Sequence, residues 1–184
     1  CPRYERVIVV TRRELGAAAR HDKLREVVVE FDRLGDAKAR LRGDHVFCAL
    51  GTTIRKAGSQ AKFRAVDYEY PLRLAQLTRH NGARHFSIVS ALGASRSSPF
   101  FYSRVKGEVE EGLRQMGWPS LAILRPSVIA GERAESRPLE RVSEHLLRLA
   151  PATWRPVPAR DIAGAMIAVA LRESAAPSAP PGGG

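Results

Sequence analysis

Five short apolar runs recur along the chain: Val7-Ile8-Val9-Val10, Val27-Val28-Val29, Val46-Phe47-Cys48-Ala49-Leu50, His85-Phe86-Ser87-Ile88-Val89 and Ser120-Leu121-Ala122-Ile123-Leu124. Each is β-branched or otherwise strongly apolar and lacks a regular polar alternation, the pattern of a strand covered on both faces in a parallel sheet. Helical periodicity fills the spaces between the later runs. Phe63, Val66, Tyr70, Leu74 and Leu77 fall on one stripe, and Phe101, Val105, Val109 and Leu113 step by four. Pro71 lies inside the first pattern, where its missing N–H and its ring predict a kink or a split. Further helices are predicted over residues 140–149 and 161–171, the second with Asp161 near its N-terminus as a cap. Strand and helix alternating in this way specify an α/β, doubly wound parallel sheet.

Composition adds bounds to that picture. With 184 residues, 44% of them hydrophobic, one compact domain is expected over residues 1–173, followed by a disordered tail over 174–184 rich in Ala, Pro, Ser and Gly. No apolar run approaches the roughly 18 residues of a membrane span, and no charged-then-apolar leader opens the chain. The expectation is a cytoplasmic protein with no membrane partner. Cys1 and Cys48 are far apart, and neither has a second cysteine at ligand spacing, so neither a disulfide scaffold nor a zinc site is expected. Cys48 reads as a small buried hydrophobe. Lys and Arg number 30 against 19 Asp and Glu, a net charge of +11 that raises nucleic acid as a partner. The basic residues are, however, scattered singly or in pairs such as Arg12-Arg13, and many alternate with acids, as in Arg104-Val105-Lys106-Gly107-Glu108. With no basic block, a nucleic-acid partner is set aside in favour of a small-molecule substrate.

Candidate chemistry gathers after the fourth run. Ser97-Ser98-Pro99 has the make-up of a helix start, a hydroxyl cap followed by Pro. A helix beginning there places Tyr102 and Lys106 four apart on one face. A cation beside a phenol favours the phenolate and lowers its pKa from about 10, which would make Tyr102 a usable general acid or base. Ser90 ends a buried strand, where ligands bind in a doubly wound sheet, and its hydroxyl is a candidate to orient a substrate oxygen.

A strand-end Ser90 followed by Tyr102-x-x-x-Lys106 resembles the short-chain dehydrogenase/reductase family. More narrowly, Phe47-Cys48-Ala49-Leu50-Gly51-Thr52-Thr53, Lys56-Ala57-Gly58, Val66-Asp67, His85-Phe86, Val105-Lys106-Gly107-Glu108-Val109-Glu110 and Leu124-Arg125-Pro126 are similar to its atypical, Tat-interacting-protein-like branch, over residues 4 to about 170. The resemblance implies a Rossmann-type fold with Tyr102 as proton donor, Lys106 tuning it and binding the nicotinamide ribose, and Ser90 positioning the reacting oxygen. It implies that Leu50-Gly51-Thr52 runs along the cofactor and that Pro126-Ser127-Val128 lies near the nicotinamide amide. Arg12 and Arg13 stand where an acid would accept the ribose hydroxyls of NAD. Arginine there suits a 2′-phosphate, so NADP is expected, with NAD possible. Asp32 would meet the adenine edge.

One departure is large. The family opens with a strand, a G-x-x-G-x-x-G loop and a helix, and no such glycine pattern occurs in the 184 residues. The fold is thus expected to be N-terminally incomplete, with a strand missing between the first and third runs and the pyrophosphate cradle in doubt. The function expected is NADP(H)-dependent reduction or oxidation of a small carbonyl or alcohol. The rival is a cofactor-sensing or protein-interaction module without turnover; a nucleotide-sugar epimerase is disfavoured by the short stretch after Pro126.

Overall fold

The structure is a computed structural model that describes residues 1–16, 20–127, 129–130 and 156–175. Val128, the helix predicted over 140–149 and the tail beyond residue 175 lie outside the described residues.

All five apolar runs form strands: β1 Val7–Thr11, β2 Leu24–Val28, β3 His45–Cys48, β4 His85–Val89 and β5 Ser120–Leu124. β1 pairs with β2 in parallel, Val7 opposite Leu24, and β3-β4-β5 form a second parallel sheet with His45 opposite His85 and His85 opposite Ser120. Among the described residues no ladder joins β1 to β3. Both sheets nevertheless share one apolar core, in which Val27, Phe31, Leu34, Cys48, Leu74, Phe86, Ile88, Val109, Leu113 and Trp118 are buried and Ile8 and Val10 pack from β1. The expectation of strands buried on both faces holds for β4, the central strand of its sheet. The others are half-covered or alternate, and Val7, Val28 and Phe47 are exposed. Each of those three sits on a strand that has a ladder partner on only one side.

Tyr4, just ahead of β1, bridges the two sheets. Its hydroxyl lies 2.8 Å from His45 Nδ1, its ring meets Phe47 edge-on at 6.0 Å between centroids, and Lys23 Nζ donates to its carbonyl. Because the residues preceding β1 touch the first residue of β3, the amino ends of the two sheets coincide and their carboxyl ends share one edge.

The first helical pattern folds as α1 Ile54–Ala57, α2 Gln60–Arg64, a π-helical turn Ala65–Glu69 and α3 Tyr70–His80. Pro71 stands in the first turn of α3, where no helical N–H is required of it, and the chain ahead of it widens so that the Tyr70 N–H bonds to the Ala65 carbonyl. Phe63 and Leu74 of the stripe are buried as the periodicity requires. A run of 3-10 turns, Phe31–Arg40, buries Phe31, Leu34 and Ala37 against α3.

The second pattern is α4 Phe101–Gln115, with Val105, Val109 and Leu113 buried. It starts later than the Ser-Ser-Pro signal implies. Phe100 is the residue before the helix and has no side-chain cap, while Ser98 Oγ accepts from the Phe100 N–H at 3.2 Å. The serines thus order the loop before the helix rather than capping it. Short strands β6 Ile129–Ala130 and β7 Val157–Pro158 pair in parallel, and α5 Ala159–Ala175 follows. Asp161 sits inside its first turn rather than at the cap, Ile162, Met166 and Ala170 bury at four-residue spacing, and the helix reaches past Ser174, where the tail was expected to begin.

Candidate active site

Strand polarity sets the location. The turn Gly51-Thr52 follows β3, Ser90 follows β4, Arg125-Pro126-Ser127 follows β5, and Arg12-Arg13 follows β1, so all the sequence-predicted residues that are described gather along the carboxyl-end edge or on helices facing it.

At the centre of that edge stands a residue the sequence reading did not single out as functional. Asp67, 1% exposed, projects from the π-helical turn; its Oδ2 accepts from the Thr52 N–H at 2.9 Å, and its Oδ1 lies 2.8 Å from Lys106 Nζ. Lys106 is itself buried, so this is an ion pair shielded from water. The pair geometry leaves Oδ1 without a directed hydrogen bond. A methyl group on Gly51 would come within 3.5 Å of Asp67 Oδ1 and 3.8 Å of Lys106 Nζ, so the backbone after β3 passes directly beside the pair. Leu50, one residue earlier, packs partly into the core.

Tyr102 lies one turn before Lys106 on α4, 38% exposed, with its ring 5.6 Å from that of Phe63. Its phenol was expected to be acidified by Lys106. Burial instead raises its pKa above the ordinary value; the Lys106 ammonium pulls it down and the Asp67 carboxylate pushes it up again. The correction has a physical cause: burial disfavours the phenolate more than the Lys106 ammonium favours it.

Ser90 is corrected as well. It is 5% exposed and its hydroxyl donates to Glu110 Oε1 at 2.6 Å, so its one proton is committed away from any substrate oxygen. Glu110, fully buried on α4, also receives Arg125 Nε at 2.9 Å, Arg125 Nη2 and Arg114 Nη2 at 3.2 Å. Burial pushes this carboxyl up, but the bonds from Arg125, Ser90 and Arg114 outweigh it and hold Glu110 below the usual carboxylate range. The hub fastens the ends of β4 and β5 to α4. The same two strand ends are zipped by the Leu92 N–H bonding to the Pro126 carbonyl at 2.9 Å; Ser127 is half-buried beside it, and Val128 lies outside the described residues.

Arg12 and Arg13 are exposed beyond β1. Asp32, after β2, accepts a hydrogen bond from the Tyr70 phenol at 2.6 Å, and Phe31 stacks on the Tyr70 ring. That bond and burial push the Tyr70 phenol up to about 12, and Arg12 is near enough to pull it down. Arg12, Asp32 and Tyr70 therefore form one polar group at this end of the edge.

Asp67, Glu110 and Tyr70 carried a signal. Asp67 falls four residues after Phe63 and seven before Leu74, on the buried stripe, and Glu110 continues the line Tyr102, Lys106 at steps of four. An acid on a buried helical face needs a cation, and Lys106 and Arg125 are those cations. A cavity of about 500 Å³ lined by Gln76, Arg79, His80, Arg84, Met116 and Pro119 lies at the opposite, amino-end edge.

No protein-family model matches the chain. Protein HTATIP2 of Rattus norvegicus is 36% identical over 153 residues, covering 82% of this chain and 63% of that protein. Protein FMP52, mitochondrial, of Candida albicans is 35% identical over 125 residues, covering 65% of this chain and 55% of that one. The chain belongs to the atypical, Tat-interacting-protein-like branch of the short-chain dehydrogenase/reductase superfamily. It spans about three fifths of the length of these relatives. Among solved structures, MoeE5 in complex with UDP-glucuronic acid and NAD superposes with a TM-score of 0.65 at 16% identity, over 90% of this chain and 64% of that one. A carbonyl reductase from Pseudomonas aeruginosa in complex with NADP gives 0.54 at 19% identity, over 84% and 86%. These likenesses place the fold in the Rossmann class. The expectation of a cytoplasmic protein is overturned by the relatives, since the Candida albicans and Emericella nidulans proteins are named mitochondrial. Among the described residues, no helix is long and apolar enough to cross a membrane.

Proposed function

We propose that the chain is part of a nicotinamide-dinucleotide-dependent oxidoreductase, with NADP(H) preferred, that reduces or oxidises a small carbonyl or alcohol, and that Tyr102 moves the proton. The observation that carries this reading is the juxtaposition of a half-exposed phenol, a buried ammonium and the bare glycine turn after β3 at one edge of the sheet. The relatives and neighbours support it to the extent that a protein of the same fold was seen with NAD and another with NADP.

The residues fit the cofactor at its two ends. Gly51 leaves the backbone after β3 open for close approach beside Lys106, and Arg12 and Arg13 offer exposed guanidinium groups to a 2′-phosphate at the far end of the edge. Arg12, Arg13, Asp32, Gly51, Thr52, Lys106, Pro126 and Ser127 would hold it; when bound, it supplies or accepts the hydride. Tyr102, a phenol whose pKa burial keeps above its ordinary value, gives its proton to the substrate oxygen in the reducing direction and takes it back in the other. Lys106 steadies the phenolate that remains. Ser90 acts through Glu110, keeping the β4 and β5 ends in register with α4.

A second reading has an observation behind it. The polar groups of Lys106 and Ser90 both have internal partners, as they would in a binding module that keeps the fold without turnover.

Fluorescence titration and a carbonyl panel separate the two. NADPH is expected to bind about tenfold or more tightly than NADH, with the order reversed by Arg12→Glu combined with Arg13→Glu, because a charge-assisted contact contributes about 1.5 to 3 kcal/mol. Tyr102→Phe is expected to lower kcat by about 100-fold with cofactor affinity unchanged. Equal affinity for the two cofactors overturns the NADP preference. Binding that persists with no turnover of any carbonyl, or a rate untouched by Tyr102→Phe, favours the module.

A further inference from the structure

The net charge of +11 has no role in the site at the carboxyl-end edge, and the fold gathers part of it elsewhere. Basic residues that stand singly in the sequence meet at the amino-end edge of the β3-β4-β5 sheet. There the connection from α3 to β4 lies beside the connection from α4 to β5, and the cavity of about 500 Å³ opens between them. Met116 and Pro119 give it an apolar wall, Arg79, His80 and Arg84 line it with basic groups, and none of its lining residues is acidic. The recess is held in shape by the fold itself. Arg79 Nη2 donates to the Gly117 carbonyl at 3.0 Å and ties the two connections together, and the Ser120 N–H bonds to the Arg84 carbonyl at 3.1 Å. Asn81 Nδ2 donates to the Lys38 and Leu41 carbonyls at 2.7 and 2.8 Å, which sets the exposed Arg40 and Arg42 beside the same connection. Of the acids at this edge, Asp44 takes the Arg84 N–H on its backbone carbonyl, and Glu111 is held by Arg114. Among the described residues no carboxylate pairs with Arg40, Arg42, Arg79, His80 or Arg84.

We infer that this recess is a docking site for an acidic segment of a partner protein, one that carries a leucine or similar apolar side chain among its carboxylates. The exposed guanidinium groups of Arg40, Arg42, Arg79 and Arg84 are complementary to it in charge, and their planar forks take carboxylate oxygens in pairs. The apolar wall decides among anionic partners. A lipid surface meets side chains that protrude, whereas Met116 and Pro119 lie in a recess that only a side chain projecting from a polypeptide enters. Single-stranded nucleic acid needs rings on which its bases stack. The lining holds no Phe, Tyr or Trp, and the adjacent Trp118 is buried against Phe86. The recess lies at the edge opposite Tyr102 and Lys106, so an occupant there leaves that site open.

The test is fluorescence anisotropy with a short fluorescein-labelled peptide of Asp and Glu around two central leucines, titrated with the 184-residue chain. Saturable binding that weakens with added salt is expected. Arg79→Glu combined with Arg84→Glu is expected to weaken it by about tenfold or more. Arg79 also ties the two connections, so Arg84→Glu alone, whose side chain has no partner among the described residues, is measured beside it and is expected to lose affinity in the same direction. Arg55→Glu combined with Lys62→Glu makes the same change of charge on the helices that follow the turn after β3, at the other edge, and is expected to leave binding unchanged. A peptide with serines for its leucines is expected to bind about tenfold more weakly, because the apolar wall loses its contact. No saturable binding, equal losses in the two double variants, or equal affinity of the serine peptide overturns the inference. So does tighter binding, with the same dependence on Arg84, of oligothymidylate or of phosphatidylglycerol vesicles than of the peptide, since the site would then belong to phosphate.

Discussion

His85 shows how a single residue can look ordinary in sequence and be tightly held in the fold. It stands at the start of β4, 1% exposed, with Nδ1 2.6 Å from Ser120 Oγ and Nε2 2.5 Å from Ser87 Oγ. Burial and the neighbouring His45, itself lowered by burial, bring its pKa down to about 4. In the unfolded chain the same imidazole titrates near 6.5. Between those values the unfolded chain takes up a proton that the fold refuses, so stability is full above pH 6.5 and falls as the pH drops toward 4, by at most about 1.4 kcal/mol per pH unit for one site. The melting temperature is therefore expected to fall from pH 7 to pH 5, and His85→Asn, which retains hydrogen-bonding capacity without titrating, is expected to flatten that slope. An equal slope in the variant would assign the effect to other groups. His85, Asp67 and Glu110 share one reason for being hard to read from sequence. A polar residue inside an apolar pattern announces burial but not its partner, because Ser120, Lys106 and Arg125 are brought to it by tertiary packing over 15 to 39 residues of chain. Tyr102 illustrates the complement. Its spacing to Lys106 was legible, but the direction of its pKa was not, since that is set first by burial, which tertiary packing decides.

Elements were legible where one periodicity ran without interruption. The five apolar runs became the five longer strands, and the two helical stripes became the helices that cover them, because continuous apolar character and four-residue steps each permit one solution at that length. Boundaries were less legible at α4, where local serine and proline signals were overruled by a loop that folds onto the helix. The close approach there is at Gly107. The Ser95 N–H bonds to the Ser103 carbonyl, and the backbone of Ser95 and Arg96 lies against the Gly107 Cα so closely that an added Cβ would stand 2.7 Å from Ser95 Cα and nearer still to the next peptide. Backbone cannot rotate aside as a side chain can. Gly107→Ala is expected to destabilise the protein by about 1 to 3 kcal/mol despite the better helix propensity of alanine. Gly112→Ala on the same helix meets only the flexible end of Leu72, at 2.9 Å, and is expected to be near neutral. Denaturant melts of the two variants check the contrast; equal costs would mean that the loop ahead of α4 is free to move off the helix.

At the scale of the whole molecule, the two sheets over one core define a geometric demand. β1 has a ladder partner in β2 and β3 has one in β4, while the edges of β1 and β3 that face each other have none among the described residues. Tyr4 spans the amino ends of that interval with its bond to His45 and its contact with Phe47, and Val7 and Phe47 beside it remain exposed. Unpaired parallel edges carry rows of N–H and C=O groups that only water can satisfy while the interval stays open, so they add nothing to the net stability of about 5 to 15 kcal/mol that a domain has. Such edges also recruit strands from other molecules. The 184-residue chain is therefore expected to associate with rising concentration and to melt broadly. A version extended at its amino end by an apolar strand, a G-x-x-G-x-x-G turn and a helix is expected to melt cooperatively at higher temperature, because one strand seated in parallel between β1 and β3 satisfies both edges. The same extension adds the helix N-terminus that binds a pyrophosphate, so NADPH affinity is expected to rise by about 100-fold, the equivalent of two amide contacts at about 1.5 kcal/mol each. Calorimetry and sedimentation on the two proteins check both parts. A sharp melt, a concentration-independent monomer and micromolar NADPH binding in the 184-residue chain would show that the interval between β1 and β3 is closed by side chains rather than by a strand.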